Sequence, residues 1–418
     1  MKKSILVTLG ICAAVSLTVS NPCSAAFVVG GENGWQLTTD GIVDVFSYYH
    51  STQPAPSGNR GVSLLDNGSN TDYNQRFGVG VGLLPSVVAF NIKAPTTNGI
   101  DSTVRVGIYP SISNGATGTS GNTTGANRFN TGPAIDFREI FYTAKGAYGE
   151  LLAGRALNLY QGKNILTDMT LLTAGVVGGR ANTVTLGHIA SGYLYAGFGP
   201  QIRYTTPDLA GLKLALEIAE PYAITANTGK TNTPRVEAEL SYAQVLGPVS
   251  INSWVSGLYQ NATRSKTAAN RPGQSEDSIG GAYGLGVGVG PLNLLGSGYG
   301  GRGLGMLSAQ DGGTLGATAT EDALGRTRLY WGFLLQATYK ITPSIMLGAN
   351  YGQSRQEKSD TEGGFIPMKN QESAVATVTY NLNKFTQFIA EYTYAQNTWH
   401  DSAKQHSNQF ALGTMFYW

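Results

Sequence analysis

Cysteine is nearly absent from this chain, and its few copies lie close to the N-terminus. The 418 residues include two cysteines, Cys12 and Cys23. Both fall inside a predicted signal peptide, residues 1–26, so the mature domain predicted over residues 27–418 has none. Disulfide bonds, thiol catalysis and thiolate metal sites are therefore excluded for the mature domain.

Long apolar runs are also missing once the N-terminus is passed. Lys2 and Lys3 precede the apolar segment Ile5 to Val19, and small residues follow at 24–26, which is the pattern of a secretory signal peptide. The apolar segment is shorter than the ~20 residues that a membrane-spanning helix needs. Beyond it, no stretch is long and apolar enough to predict a helical span.

Charged residues are few. They make up 13% of the chain, about half of the ~25% that is usual in soluble domains, whereas the hydrophobic content is ordinary at 41%. Removing Lys2 and Lys3 from the 28 basic residues leaves 26, equal to the 26 acidic ones, so nothing indicates the concentrated basic surface of a nucleic-acid-binding protein. Glycine and uncharged polar residues fill the difference, which suits a wall with one apolar and one polar face.

Alternation of apolar and polar residues recurs along the chain. Phe77, Val79 and Val81 share one side of a predicted strand, and Arg76 and Gly78 lie on the other. Similar patterns occupy 212–218, 236–242 and 329–340. Strands of about ten residues with one apolar side, separated by polar loops, are the signature of a transmembrane antiparallel β-barrel, an all-β fold.

The predicted connections alternate between short and long. Short ones lie near 146–149, 207–211, 246–247, 342–343 and 383–384. Long polar ones lie near 52–71, 114–132, 158–192, 261–276, 304–324 and 357–370. Short turns at one rim and long loops at the other are typical of outer-membrane barrels. The count gives about 16 strands, enough for an aqueous channel, if Arg76 to Ala94 forms a single bulged strand despite Pro85.

The third long connection, 158–192, is unusual. It follows a predicted hairpin, Phe137–Thr143 and Glu150–Arg155, and it is much longer than an ordinary hairpin loop. We therefore predict that this loop folds into the lumen and narrows it.

The C-terminal residues predict how the barrel closes. Phe416 and Trp418 share one side of the last strand, and the chain ends on an aromatic residue. This ending resembles the terminal signal of outer-membrane barrels, in which phenylalanine is the usual last residue. We expect the last strand to pair with the first, near Gly34 to Tyr49, so that no open edge faces the lipid.

Several segments together resemble the Gram-negative general diffusion porins, which are trimeric outer-membrane channels of about 16 strands. In chain order, the segments that carry the resemblance are Gly41–Asp44, Arg76–Val79, Arg138–Arg155, Gln201–Pro207, and Tyr380–Lys384 followed by Ala390–Tyr394. Each is weak alone, but their order and spacing are specific over nearly the whole mature chain. The resemblance implies a water-filled outer-membrane channel, in contact with the bilayer and lipopolysaccharide, for passive diffusion of small hydrophilic solutes and ions.

The resemblance also implies roles for single residues. Arg76, Arg138 and Arg203 would project from the wall toward the constriction loop, and Arg155, at the end of the matching hairpin, would join them. Alternation supports an inward side chain for Arg76 and Arg203, whereas Arg138 shares its predicted side with the apolar Ile140.

Asp168 matches the acidic residue that these porins place opposite the arginines. The Pro-Glu-Phe-Gly-Gly sequence of the family is missing after Met169, so Asp168 is the one acid between Asn158 and Gly192. Three or four arginines facing one acid predict a modest preference for anions. Wall acids could reverse this preference if they crowd the constriction, namely Glu217, Glu237 or Glu239.

The loop from Asn114 to Gly132 resembles the loop that latches onto a neighbouring subunit in these porins, which predicts a homotrimer. Its composition, rich in Asn, Gly, Ser and Thr, would also allow an unstructured loop.

Other functions find little support in the sequence. Gly296 to Gly301 has the spacing of a dinucleotide-binding fingerprint, but no βαβ unit surrounds it, and glycine is common in barrel strands. The four histidines lack metal-ligand spacing, and no catalytic constellation stands out, so no enzyme, cofactor or metal site is expected. A substrate-specific channel, or a barrel that acts as a sleeve for a partner protein, is the alternative to a general porin.

Overall fold

The computed structural model describes residues 27–61, 63, 65, 75–110, 112, 135–176, 185–224, 228–307, 321–322 and 324–418. The predicted signal peptide and the predicted latch loop, Asn114 to Gly132, lie outside these residues. Within them, no helix is long and apolar enough to cross a membrane.

The described residues form a 19-stranded sheet and a few short helical elements. The strands are β1 (Phe27–Gly30), β2 (Gln36–Thr52), β3 (Gln75–Gly80), β4 (Val87–Lys93), β5 (Asp101–Pro110), β6 (Ile135–Gly146), β7 (Gly149–Leu157), β8 (Phe198–Thr205), β9 (Leu212–Ala219), β10 (Thr228–Lys230), β11 (Arg235–Leu246), β12 (Val249–Arg264), β13 (Ser275–Val289), β14 (Leu292–Arg302), β15 (Leu329–Lys340), β16 (Ile345–Gln356), β17 (Met368–Asn381), β18 (Thr386–Trp399) and β19 (Lys404–Tyr417). A helix spans Gly162–Thr167, and 3-10 turns span Met169–Leu172 and Gly305–Leu307.

The sheet is antiparallel and closes on itself. Consecutive long strands pair along the chain, and β19 pairs with β2 from Ser407 opposite Thr52 to Tyr417 opposite Ile42. β3 and β4 both pair with β2 and share one wall position, and the short β1 and β10 only extend the pairing of β2 and β12. The 19 strands therefore make 16 wall positions. The predicted all-β, 16-strand antiparallel barrel and its closure by the last strand are confirmed.

Side chains alternate between the two faces of the wall, because successive residues of a strand point to opposite sides. On β11, Val236 and Leu240 are 45% and 47% exposed on the outer face, and Glu237 and Glu239 are buried on the inner face. The outer surface is thus apolar and the inner surface polar.

The connections follow the predicted alternation. Long ones follow β5, β7, β12, β14 and β16, and short ones of two residues follow β6, β11 and β13. Gly247 adopts a φ of 61° in the short turn between β11 and β12, a conformation that favours glycine.

One wall position is interrupted between β3 and β4 because the backbone there binds a loop. Leu84 N donates to Leu171 O in the 3-10 turn, and Leu83 N donates to Thr173 O just after it, both at 3.1 Å, instead of pairing with a strand. A Cβ atom on Gly82 would lie 2.5 Å from Thr173 O, so glycine permits this approach. The segment Arg76 to Ala94, predicted as a single bulged strand, thus fills one wall position with two strands, β3 and β4.

Candidate functional site

The segment between β7 and β8, Asn158 to Gly197, is here termed the lumen loop. Asn158 N donates to Gly197 O at 3.1 Å, and Asn158 Nδ2 donates to the carbonyl oxygens of Ala196 and Gly197 at 2.9 and 3.1 Å. Asn158 is the first residue of the loop and binds its last two residues. The two ends of the loop therefore lie side by side at the wall.

From this neck, the lumen loop reaches inward-facing side chains on other strands. Met169 N donates to Gln336 Oε1 on β15 at 2.6 Å, and Gly175 N donates to Glu391 Oε1 on β18 at 2.6 Å. Further hydrogen bonds join His188 to Asn350, Ser191 to Ser373, Gly192 to Ser354, and Gly175 to Gln409. The loop therefore crosses the barrel interior and lies against β15 to β19.

An apolar cluster fixes the fold of the loop. Its members pack against Leu83 and Leu334 of the wall, and they are Ile165, Leu171, Ile189, Ala190 and Tyr193. Burial of one side chain the size of leucine contributes ~1.5–3 kcal/mol. The described part of the lumen loop is therefore a packed structure.

Asp168 lies inside this packing and is 3% exposed. Its carboxylate accepts hydrogen bonds from Thr170 N at 2.9 Å, the Tyr193 hydroxyl at 2.6 Å, Asn350 Nδ2 at 3.1 Å and the Thr170 hydroxyl. It thereby caps the 3-10 turn and ties the loop to β16. Burial, together with the charge of Asp168, raises the pKa of Tyr193 well above its ordinary value, so this hydroxyl keeps its proton. Within the described residues no ion pair joins Asp168 to an arginine, and its place opposite the arginines stays a prediction.

A β-bulge determines where Arg138 points. Gly107 pairs with Glu139, but Tyr109 pairs with Asp136, so β6 carries an extra residue relative to β5. Within the bulge, Arg138 Nε lies 2.6 Å from Asp136 Oδ2, and its guanidinium carbon lies 5.4 Å from the ring centre of the buried Tyr109. Arg138 thus lies on the inner side, although simple alternation left its direction open.

Arg203 also projects inward. It pairs across the ladder with Glu217 of β9, and its Nη1 atom lies 3.9 Å from Glu217 Oε2 and donates to Leu157 O at 3.3 Å. The side chain of Arg203 is 20% exposed, whereas that of Glu217 is 0% exposed. The arginine is therefore the member of this pair that a solute in the lumen can meet.

Arg76 and Arg155 occupy different sides of the wall. Arg76 pairs with the buried His50, and the next residue, Phe77, is exposed on the outer face. The side chain of Arg76 therefore lies on the inner side of the wall. Arg155 pairs with Ile140, which is 55% exposed on the outer face. Because paired residues share a face, the register gathers Arg76, Arg138 and Arg203 inside and leaves Arg155 on the outer side.

A further inner arginine was missed by sequence reasoning. Arg105 on β5 is buried, its Nε donates to Glu139 at 2.9 Å, and its Nη1 donates to Asp40 at 3.0 Å. The Tyr109 hydroxyl donates to the same Glu139 carboxylate at 2.8 Å. The signal in the sequence is the alternation of Arg105 with valines at 104 and 106.

The wall acids hold the start of the lumen loop. Tyr160 N donates to Glu237 Oε2 at 2.7 Å, and Glu237 Oε1 lies 3.0 Å from Arg235 Nε. The Arg235 guanidinium lies 4.3 Å from the ring centre of Tyr222. Among the residues that the structure describes, no group of three or more His, Cys, Asp or Glu side chains is arranged to bind a metal ion.

The end of β19 makes the contacts that close the barrel. Phe416 pairs with Val43 on β2, and Trp418 N and Gly41 O form a hydrogen bond of 3.2 Å that is reciprocated by Gly41 N and Trp418 O. A Cβ atom on Gly41 would lie 2.3 Å from the Trp418 ring. The terminal indole therefore packs where the first long strand has no side chain.

Comparison with known proteins agrees with this architecture. A family model described as Gram-negative porin matches residues 12–400. No curated protein sequence matches the chain.

Solved structures show the same fold at low sequence identity. The outer membrane channel DcaP of Acinetobacter baumannii aligns with a TM-score of 0.68 at 13% identity, covering 94% of this chain and 100% of that one. An anion-selective porin from Comamonas acidovorans gives 0.59 at 14%, covering 92% and 100%. The trimer form of OmpT from Vibrio cholerae gives 0.51 at 13%, covering 92% and 100%. At these identities the likeness concerns the fold alone.

Proposed function

The chain belongs to the Gram-negative porin family and is a channel of the outer membrane, and we propose that it passes small hydrophilic solutes and ions with a modest preference for anions. Neither the family nor the fold is enzymatic.

The observation that carries the anion preference is the position of the inner arginines. The lumen loop is hydrogen-bonded to inner side chains of β15 to β19 and to the backbone between β3 and β4, whereas Arg76, Arg138 and Arg203 belong to β3, β6 and β8. Arg203 is the exposed member of its pair with Glu217. A fixed cation in a narrow passage attracts anions, because the low-dielectric wall screens its charge weakly.

The preference is modest because acids accompany the other arginines. Arg105 is bound by Asp40 and Glu139, and Arg138 lies beside Asp136. Each pair has little net charge, so its field is weak a few ångströms away, and 0.1 M salt screens what remains over a Debye length of ~10 Å. The porin from Comamonas acidovorans is anion-selective, which supports the direction of the proposal by analogy of fold only.

The test is the reversal potential of the purified protein in a KCl gradient across a planar bilayer. The wild type should show the sign of anion preference, more strongly at low salt, and Arg203→Ser should shift the potential toward cation preference. Arg76→Ser should act in the same direction. Arg355→Ser is the matched control, since Arg355 lies on the outer face beside Glu357 and should leave the potential unchanged.

A cation-preferring wild type, or an Arg203→Ser channel with an unshifted potential, would contradict the proposal. Conductance that saturates with one solute, or is blocked by it, would instead favour a substrate-specific channel. Co-purification of a protein bound in the lumen would favour a sleeve.

We also infer that the protein works as a homotrimer in contact with bilayer lipid and lipopolysaccharide. The Vibrio cholerae OmpT structure is described as a trimer form, which supports the inference by analogy.

A further inference from the structure

A second connection enters the barrel interior. The first residues after β14, 303–307, are here termed the second lumen segment. Gly303 adopts a φ of 68°, a conformation that favours glycine, and its nitrogen donates to Arg328 O at 2.9 Å. A 3-10 turn follows, in which Leu307 N donates to Leu304 O at 2.9 Å. Because side chains three residues apart in such a turn lie on one side, Leu304 and Leu307 project together.

Both leucines are buried, and they pack on the lumen loop as well as on the wall. Their cluster includes Tyr160 and Leu194 of the lumen loop. It also includes four inner residues of β12 to β15, namely Leu258, Ala282, Tyr299 and Tyr330. Tyr195 N donates to Leu307 O at 3.0 Å, so the backbones of the two segments are joined directly. The second lumen segment therefore holds the last part of the lumen loop against β12 to β15.

Two paired glycines of the wall make room for this cluster. Gly280 on β13 and Gly301 on β14 are cross-strand partners. A Cβ atom on Gly280 would lie 2.5 Å from the Tyr160 hydroxyl oxygen and 3.1 Å from Leu304 Cδ2. One on Gly301 would lie 2.7 Å from Leu304 Cδ1. Glycine weakens a strand unless another group approaches its backbone closely, and here Tyr160 and Leu304 do so.

The cluster divides the inner surface of the barrel into two parts. On β12 to β15, the inner side chains of Leu258, Tyr299 and Tyr330 are buried beneath it. On β6 and β8, by contrast, the side chains of Arg138 and Arg203 are 22% and 20% exposed. The inner surface that water reaches therefore includes these arginines and excludes the part of β12 to β15 under the cluster.

Tyr195 connects the second lumen segment with the side of the arginines. Its nitrogen is held by Leu307 O, and its side chain is partly exposed. Burial raises the pKa of the Tyr195 hydroxyl above its ordinary value, and the charge of Arg138 opposes this increase. The Tyr195 ring therefore lies near an arginine of the proposed ion path. A displacement of this part of the lumen loop would change the distance between the ring and that guanidinium.

We propose that the second lumen segment is a positioning element of the constriction. Leu304 and Leu307 fix the end of the lumen loop, and their cluster confines the ion path to the side of Arg138 and Arg203. This confinement gives a few fixed cations control over the whole current, because no ions pass along the covered wall. The proposal rests on the proposed channel function, but not on the sign of its ion selectivity.

Cysteine reactivity tests whether the wall under the cluster is covered. The mature domain predicted from the sequence has no cysteine, so an introduced thiol is the only one that reacts. Ser256→Cys puts the thiol on the buried inner face of β12, opposite Ala282 of the cluster, and Thr143→Cys puts it on the partly exposed inner face of β6. Mass spectrometry of the protein in lipid vesicles measures the reaction with sulfonatoethyl methanethiosulfonate. Ser256→Cys should react at least roughly tenfold more slowly than Thr143→Cys, because it reacts only when the cluster opens.

Removal of the two leucines should open the covered wall. Combined with Leu304→Ser and Leu307→Ser, Ser256→Cys should react at least roughly tenfold faster, because less apolar burial keeps the cluster closed. The leucine variant without the introduced thiol should show a larger single-channel conductance. Its reversal potential in a KCl gradient should lie nearer zero, since ions gain a path away from Arg138 and Arg203. Leu324→Ser is the matched control, because Leu324 belongs to the same connection but is 43% exposed.

Two outcomes would overturn the proposal. One is equal reactivity of Ser256→Cys and Thr143→Cys in the otherwise unchanged protein. The other is loss of the leucines with no change in the reactivity of Ser256→Cys, the conductance or the reversal potential. Heat-modifiable electrophoresis shows that each barrel is folded, and Leu304→Ala replaces the serine pair if that pair fails to insert. The expected reactivities in a cation-preferring wild type would support this proposal while contradicting the anion preference alone.

Discussion

The carboxylate of Asp168 shows how much structure one buried side chain can organise. It accepts hydrogen bonds from two loop residues, Thr170 and Tyr193, and from Asn350 on β16. A charged acceptor forms stronger hydrogen bonds than a neutral one. Asp168 therefore holds the lumen loop in position whether or not its charge also reaches the permeating ions.

Asp168→Asn separates these two roles. The amide group would face the donors Thr170 N and Asn350 Nδ2 with fewer acceptor sites, so we expect the loop packing to lose ~1–3 kcal/mol. Proteolysis of the loop and denaturant unfolding in lipid vesicles measure this loss, and Asp360→Asn, in an exposed loop, is the control. A reversal potential that shifts toward stronger anion preference, with no loss of stability, would instead support a direct effect of the Asp168 charge on the permeating ions.

The closing strand β19 depends on a close contact at its C-terminal end. Gly41 has room for no side chain, because the Trp418 indole and Val87 O occupy the space above its Cα. Without this contact, β2 and β19 would expose unpaired backbone groups to lipid, where each unsatisfied group is costly. The terminal aromatic residue is therefore part of the barrel wall.

Two changes test this closure. Deletion of Phe416 to Trp418 should prevent insertion, and Gly41→Ala should destabilise the inserted barrel by about 1–3 kcal/mol through overpacking. Heat-modifiable electrophoresis and urea unfolding in vesicles report both effects. Trp418→Phe keeps an aromatic end and Gly257→Ala adds a methyl group without a clash, so both should behave like wild type. Normal membrane yield of the deletion would show that the closing signal lies elsewhere.

The assembled molecule is expected to contain three barrels. If the loop from Asn114 to Gly132 latches onto a neighbour, native electrophoresis in mild detergent should show a trimer, and removal of the loop should shift it toward monomer at lower temperature. Shortening the extracellular connection at 357–367 by a similar fraction is the control, because that loop is not expected to reach a neighbour. A wild-type protein that runs only as a monomer would contradict the latch.

Charge is also organised over the whole barrel. The mature chain predicted from the sequence is neutral in total, yet its inner charges are arranged as neighbouring pairs such as Arg203 with Glu217 and Arg235 with Glu237. Composition gives only the sum of these charges. Which member of each pair faces the lumen depends on burial, and selectivity depends on that exposed member.

Alternation was sufficient to predict the wall because a strand has only two sides and lipid accepts only one kind of surface on the outer side. The alternation that includes Phe77 and Val79, and the one that includes Val236 and Leu240, therefore predicted the strands, the side that faces lipid and the barrel fold. The same rule indicated an inner Arg76 and Arg203. The need for an even strand count predicted that Arg76 to Ala94 fills one wall position, but not that it does so with two strands, β3 and β4.

Local alternation failed where the wall is irregular. The bulge on β6 shifts the register between Glu139 and Asp136, so parity counted from Ile140 gives no reliable direction for Arg138. Arg155 was grouped with the inner arginines by resemblance, whereas its pairing with Ile140 puts it on the outer side. Bulges and registers are decided between two strands, and one strand read alone does not contain them.

The sequence by itself determined an all-β barrel of 16 wall strands that closes through its aromatic C-terminus, because these properties follow from the periodicity of side chains and from the demand that no backbone edge faces lipid. Only the tertiary structure decided that Asp168 is buried beside Tyr193 and Asn350, and that Arg105 joins Asp40 and Glu139. These contacts join residues 25 to 182 positions apart in the chain. Their physical origin is the packing of the loop against the inner face of the wall for Asp168, and the register between neighbouring wall strands for Arg105.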